Sequence, residues 1–255
     1  MTDASAAEQL RALRADWETL GVADPLWAVY VKDGVRGGGW DVTEFLATGE
    51  REVADSWDRV ARALGGVPSS DAVVLDFGCG VGRLSSALAA RTRLVVGVDI
   101  SEPMLRASRS VVPDDVRPKV VGVLSSSPSI PLRTGSIDLV YTSLVLQHMP
   151  SSLAVGYLRE FLRVLSPGGL ALVQVAEEPD TSLKGRAFRH LPPRLYGWLQ
   201  RRVLGYPAPM RMEQLTLDDV TATVDGSGGH VLAHWEDPSY GGHWRYRRIL
   251  IARGA

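Results

Sequence analysis

Three glycines come first among the residues whose types and spacing could do chemistry. Gly78, Gly80 and Gly82 stand in the run Val73-Val74-Leu75-Asp76-Phe77-Gly78-Cys79-Gly80-Val81-Gly82-Arg83-Leu84, where an apolar strand pattern ends in glycines that lead into a helix. Glycines at such a junction let a ligand approach the backbone at a helix N-terminus. Asp99 closes the next apolar strand pattern, where a carboxylate can accept hydrogen bonds from both hydroxyls of a ribose. The two signals reinforce one another. A nicotinamide dinucleotide would need a glycine where Arg83 stands, so the spacing is against it.

Positioning these residues requires strands that end at one edge. Val73 to Phe77, Leu94 to Val98, Lys119 to Leu124, Ile137 to Thr142 and Leu170 to Val175 read as buried parallel strands. Arg83 to Arg91, Pro103 to Val111 and Ser151 to Leu165 read as the helices between them, and the alternation predicts a doubly wound α/β sheet. Two further strands are expected at His230 to Trp235 and Tyr246 to Ala252. Residues 1–70 read as a helical cap, an appendage before the core. Its second helix is expected to be capped by Thr43 and to end at Gly65 and Gly66. Residues 71–255 form the core, with 182–212 as an amphipathic helical insertion or lid in which Trp198 sits at a core spacing.

Composition narrows the function classes. With 255 residues, 45% hydrophobic and 22% charged, the chain is a globular protein rather than a disordered or collagenous one. The formal net charge of −1 offers no global field for nucleic acid, and no Asn-Pro-Pro-Tyr-type motif for a flipped base is present. Cys79 is the only cysteine, which excludes an internal disulfide and a multi-cysteine metal site. Charges at Asp3, Glu8, Arg11, Arg14, Asp16 and Glu18 break any signal-peptide apolar region, and no apolar run reaches the ~18 residues of a membrane span. The expected location is the cytoplasm.

Two later blocks add specificity. Ile130-Pro131-Leu132 precedes Gly135-Ser136-Ile137-Asp138-Leu139-Val140, and Arg163-Val164-Leu165-Ser166-Pro167-Gly168-Gly169 follows. With the glycine loop and Asp99, these blocks resemble the class I S-adenosylmethionine-dependent methyltransferases over roughly residues 70–175, most closely the small-molecule group of ubiquinone-type and natural-product enzymes. The resemblance implies a Rossmann-like, seven-stranded, mostly parallel sheet and S-adenosylmethionine as cofactor, with S-adenosylhomocysteine as product. It implies that Asp76, Gly78, Cys79, Gly80, Gly82 and Arg83 serve the methionine part, Asp99 the ribose, and Ile100 and Met104 the adenine. Where relatives often carry an acid for the adenine amino group, this chain has Ser125, Ser126 and Ser127, and Ser126 is taken as the substitute. Phe45 to Glu52 resembles the cap helix that shelters the cofactor in some members.

Methyl transfer from a sulfonium is an in-line displacement, which needs donor and acceptor aligned at about 3 Å away from water and no enzyme nucleophile. A hydroxyl acceptor also needs a base, and histidine suits that role near neutral pH. His148 follows the fourth strand at the carboxyl edge and is the leading candidate; the alternative is a structural histidine flanking the cofactor. If the last strand runs antiparallel, the connection before it returns over the same edge. There His243 becomes a second candidate base, and Tyr240, Trp244 and Arg245 could touch the acceptor; the alternative is a surface hairpin. The expected reaction is O-methylation of a natural-product or sugar-like hydroxyl, with N- or C-methylation, or a cofactor-retaining protein that transfers no methyl, as alternatives. Between Leu183 and Arg211 stand Lys184, Arg186, Arg189, Arg194, Arg201, Arg202 and Arg211 with no acid. That stretch reads as a solvated helix face, or as a surface for an anionic acceptor or an anionic membrane.

Overall fold

The computed structural model describes residues 3–179, 193–238 and 244–254. Three helices lead: α1 (Asp3–Ala23), α2 (Pro25–Val29) and α3 (Val42–Leu64). There follow β1 (Val73–Phe77), α4 (Arg83–Ala89), β2 (Leu94–Asp99), α5 (Glu102–Val111), β3 (Val120–Leu124), β4 (Ile137–Thr142) and α6 (Ser151–Val164). The chain continues with β5 (Leu165–Pro179), α7 (Pro193–Arg202), α8 (Leu217–Asp225), β6 (Gly229–Asp237) and β7 (Trp244–Arg253).

The seven strands form one sheet in the order β3-β2-β1-β4-β5-β7-β6. Neighbours from β3 to β5 are parallel, and β7 runs antiparallel between β5 and β6. This is the doubly wound, mostly parallel sheet expected from the β-α alternation. Strand order reverses at β1, which has β2 on one side and β4 on the other, so a crevice opens beyond its carboxyl end.

Apolar runs such as Val73–Phe77 make strands because both faces are covered. Val74, Leu139 and Tyr141 meet α3 and α4 through Val53, Trp57, Leu84 and Leu88, while Leu75, Phe77 and Val140 meet α6 through Leu158 and Phe161. Thus α3, though it belongs to the segment expected to be an appendage, packs directly on the sheet. Its cap is Asp41 rather than Thr43: the Asp41 carboxylate accepts from the Glu44 N–H at 2.9 Å, a bond available only to the residue preceding the first turn. Gly65 ends the helix at φ +73, as expected.

β5 starts at Leu165, five residues before the expected Leu170, because Ile137 already pairs with Leu165. The amphipathic insertion is described from Pro193 onward, and there Trp198 is 50% exposed rather than in the core. The side chain of the same helix that points inward is Gln200, which bonds Met210 through both its amide groups. Among the described residues no helix is long and apolar enough to cross a membrane.

Candidate active site

A cleft that is partly open to solvent occupies the crevice. Phe77 to Gly80 form its floor, Asp99, Ile100 and Met104 one side, and Ser143 to Val145 with His148 the other. Leu10, Leu13 and Trp17 of α1 and Val29 of α2 close over it. The expected sheltering run Phe45 to Glu52 does not line it; α1 and α2 take that place.

The floor is main chain in left-handed conformations. Gly78 and Gly80 have φ of +75° and +53°, and a Cβ on either would lie 2.3 Å from Val145 Cγ2 or 2.6 Å from Val29 Cγ2. Only glycine fits both demands. Register does the rest: Phe77 pairs with Val98, so Gly78 and Asp99 leave adjacent strands at the same level. The Gly78 N–H donates to the Val98 carbonyl at 2.7 Å.

Asp99 is oriented by the backbone. Its Oδ2 accepts from the Gly80 N–H at 2.7 Å and its Oδ1 from the Ser101 N–H at 2.8 Å. A carboxylate has about four lone-pair sites, so acceptor capacity remains beside these bonds. Burial raises its pKa, and the backbone N–H groups oppose that rise. Asp76 is buried beneath the loop and does not line the cavity. It accepts from Ser85 Oγ at 2.6 Å, and desolvation pushes its pKa up to about 7. Cys79 borders the cavity, its sulfur packs against Gly97 of β2, and burial raises its pKa.

On the opposite wall Leu144 has φ +60°, the single positive φ at a non-glycine among the described residues. Such a backbone costs of order 1 kcal/mol and persists only where its surroundings hold it. The holder is Gln174 of β5, whose Oε1 accepts from the Leu144 N–H at 2.9 Å and from Ser143 Oγ at 3.3 Å. Its Nε2 donates to Asp237 Oδ2 at 2.8 Å, which fixes the amide's orientation. The bend at Leu144 sets Val145 against Gly78 and leads into the turn that carries His148.

His148 lines the cavity with its ring edge-on to Trp17, centroids 5.3 Å apart. Its Nδ1 lies 2.7 Å from the Arg211 carbonyl. A carbonyl only accepts, so Nδ1 carries the proton and Nε2 the lone pair. Desolvation lowers the pKa to about 4, partly offset by that hydrogen bond, and the ring is neutral at physiological pH.

Behind this wall lies a buried polar cluster. Glu52 of α3 pairs with Arg83 at 2.7 Å and with Arg248 of β7 at 2.6 Å. Arg248 also pairs with Asp237 at 2.6 Å and donates to the Tyr141 hydroxyl at 2.8 Å. Arg83 has Tyr30 beneath its guanidinium at 5.0 Å and reaches the cavity wall. Two cations and two carboxylates thus compensate one another away from water. Nothing in the sequence joined Glu52, Gln174, Asp237 and Arg248, because they come from four distant elements; Glu52 entered only as the end of the run Phe45 to Glu52. A glutamine and an arginine within otherwise apolar strand patterns were the available hints.

The expected site residues divide accordingly. Gly78, Cys79, Gly80, Arg83, Asp99, Ile100, Met104 and His148 line one cavity, while Asp76 and Gly82 support it from behind. Ser126 points away, and its neighbours Ser125 and Ser127 line the cavity instead. Their loop is pinned by the Tyr157 hydroxyl, which donates to the Ser127 carbonyl at 2.8 Å. Trp244 and Arg245 stand at the expected edge but outside the cavity; Arg245 is exposed and engaged by Glu178 and Glu236 at 2.7 and 2.8 Å. Tyr240 and His243 lie outside the described residues.

Residues 75–173 match the family described as a methyltransferase domain. A trans-aconitate 2-methyltransferase of Azoarcus sp. (strain BH72) is 33% identical over 144 residues, which is 55% of this chain and 52% of the relative. A malonyl-[acyl-carrier protein] O-methyltransferase of Laribacter hongkongensis is 36% identical over 140 residues, 52% of this chain and 45% of the relative. The chain therefore spans about half the length of these curated relatives. The crystal structure of magnesium protoporphyrin IX methyltransferase from Synechocystis PCC 6803 with bound SAH superimposes with a TM-score of 0.65 at 19% identity, covering 96% of this chain and 100% of that one. That likeness is one of fold.

Proposed function

We propose that the chain, whose methyltransferase domain resembles the class I S-adenosylmethionine-dependent enzymes, methylates an oxygen of a small molecule, a natural-product or sugar-like hydroxyl in the first reading. The donor set suits that cofactor. Asp99 retains acceptor capacity for a ribose beside the apolar Ile100 and Met104, and the glycine loop brings main chain to the cavity floor. When bound, the cofactor supplies an electrophilic methyl group on a sulfonium.

The chain's own residues then have three tasks. Asp99 and the loop orient the cofactor. Leu10, Leu13, Trp17 and Val29 exclude water from above. His148 takes the acceptor's proton at Nε2, and the Arg211 carbonyl holds the opposite nitrogen as charge develops on the ring. The observation that carries the reading is this tautomer, which leaves Nε2 of a cavity-lining histidine without a proton. N- or C-methylation, or cofactor retention without transfer, remain the alternatives on the same fold.

A second reading draws support from the relatives named for trans-aconitate and malonyl-carrier substrates: a carboxylate oxygen as acceptor. A carboxylate is already ionised and needs no base. The test is an acceptor screen by mass spectrometry, repeated with His148→Gln. Loss of turnover by about a hundredfold, with S-adenosylhomocysteine binding intact, supports the hydroxyl reading. Full turnover in the variant on an acidic acceptor supports the second, and methyl found on nitrogen or carbon overturns both.

A further inference from the structure

α7 turns Leu195 and Trp198 outward. Leu195 is 47% exposed and Trp198 50%, and the turn that continues the helix leaves Val203 and Leu204 at 63% and 48%. These are four of the twelve large apolar side chains exposed among the described residues, and Trp198 is the one aromatic of the twelve. Arg201 and Arg202, also exposed, stand within the same turn and a half. The face combines an aromatic ring with a polar N–H, three aliphatic side chains and two arginines whose stems can lie along apolar surface while their heads reach anionic groups.

We infer that this face docks on the surface of an anionic phospholipid bilayer. Charge argues for that occupant: the stretch from Leu183 to Arg211 carries seven basic residues and no acid, although the whole chain has a net charge of −1. Arg211 lies 3.9 Å from Asp16, while Arg201 and Arg202 are exposed on the helix itself, and an apolar and aromatic face that carries arginines is what an interfacial helix requires. The fold also ties the helix to the active-site rim. The Arg36 guanidinium donates to the carbonyls of Leu204 and Gly205, and Gln200 holds Met210. The next residue, Arg211, supplies the carbonyl at His148 Nδ1, and the Glu213 N–H donates to the Gln147 carbonyl at 2.7 Å. A helix resting on lipid is thus joined through Gln200, Met210 and Arg211 to the wall that carries His148.

The experiment is co-sedimentation of the full chain with vesicles of phosphatidylglycerol mixed with phosphatidylcholine, against phosphatidylcholine alone. Binding to the anionic vesicles only, weakened by salt, is expected. Trp198→Ser with Leu204→Ser should lower the partition at least about tenfold, and Arg201→Gln with Arg202→Gln roughly thirtyfold. Unchanged S-adenosylhomocysteine binding and melting temperature show that the variants fold. Absence of binding, equal binding to both vesicle types, or variants that bind as the parent does overturns the proposal. So does a dimer in sedimentation equilibrium that Trp198→Ser abolishes in a chain that ignores vesicles. Because lipid binding is read rather than turnover, this result and that of the acceptor screen fail separately.

Discussion

At the carboxyl ends of β1 and β2 the cavity is walled by main chain: Gly78 and Gly80 in left-handed conformations, and a carboxylate aimed by two N–H groups. At the ends of β4, β5 and β7 the wall depends on side chains that reach across the molecule, with Glu52, Gln174, Asp237 and Arg248 all buried. The two constructions tolerate change differently. A main-chain wall fails locally when a Cβ is added, whereas a network of compensating charges fails throughout when one member is lost. The first can serve a constant ligand, and the second lets nearby loops vary above a rigid base.

The largest effect should come from breaking the network. Arg248→Met leaves the Glu52 and Asp237 carboxylates buried without their shared cation, and the loss should be about 3–5 kcal/mol in urea unfolding. A loss below ~1 kcal/mol would show that water enters and that the two walls do not differ in kind. Next comes Asp99→Ala, which removes the acceptor proposed for the two ribose hydroxyls while leaving the network intact. S-adenosylhomocysteine binding in calorimetry should weaken by roughly a hundredfold with little change in stability. An equal cofactor loss in Arg248→Met, measured while that variant is folded, would erase the division.

How legible each wall was in the sequence follows from the same contrast. The glycine loop and Asp99 are readable because main-chain recognition needs particular residues at short, fixed spacing; Gly78, Gly80 and the strand end at Asp99 all fall within one β-α-β unit. The central strands were readable because strands covered on both faces are largely apolar; β3, expected to be buried, is an edge strand with Val121 and Leu124 exposed. Ser126 misled because a loop's accessible side is decided by its pinning, here by Tyr157 from α6. Trp198 misled because helical spacing names a face without saying which way it points. Glu52 and Arg248 are 196 residues apart, and no local pattern joins them.

A smaller effect tests the link between the walls. Gln174→Leu removes the acceptor that holds Leu144 at φ +60°, so turnover should fall about tenfold, with ~1–3 kcal/mol of stability lost. Leu144→Gly in that background accepts the same φ without strain and should restore part of the turnover. If the two substitutions merely add, Gln174 supports the sheet and does not position the His148 turn.

The smallest effect is a slope. His148 has a folded pKa of about 4 against 6.5 for a free imidazole, so between those values the unfolded chain binds more protons than the folded one. Its contribution to stability is therefore complete above pH 6.5 and is lost as pH falls toward 4. His148→Gln, whose amide can still donate to the Arg211 carbonyl, should flatten the slope of unfolding free energy across that window and leave stability near neutrality almost unchanged. On the proposed reading the parent's acid limb of turnover on a hydroxyl acceptor should then fall near pH 4 and not near 6.5, since the proposed base is the same group whose desolvation sets the slope. An acid limb near 6.5 would assign the proton transfer to a histidine in contact with solvent and return His148 to a purely structural place against Trp17.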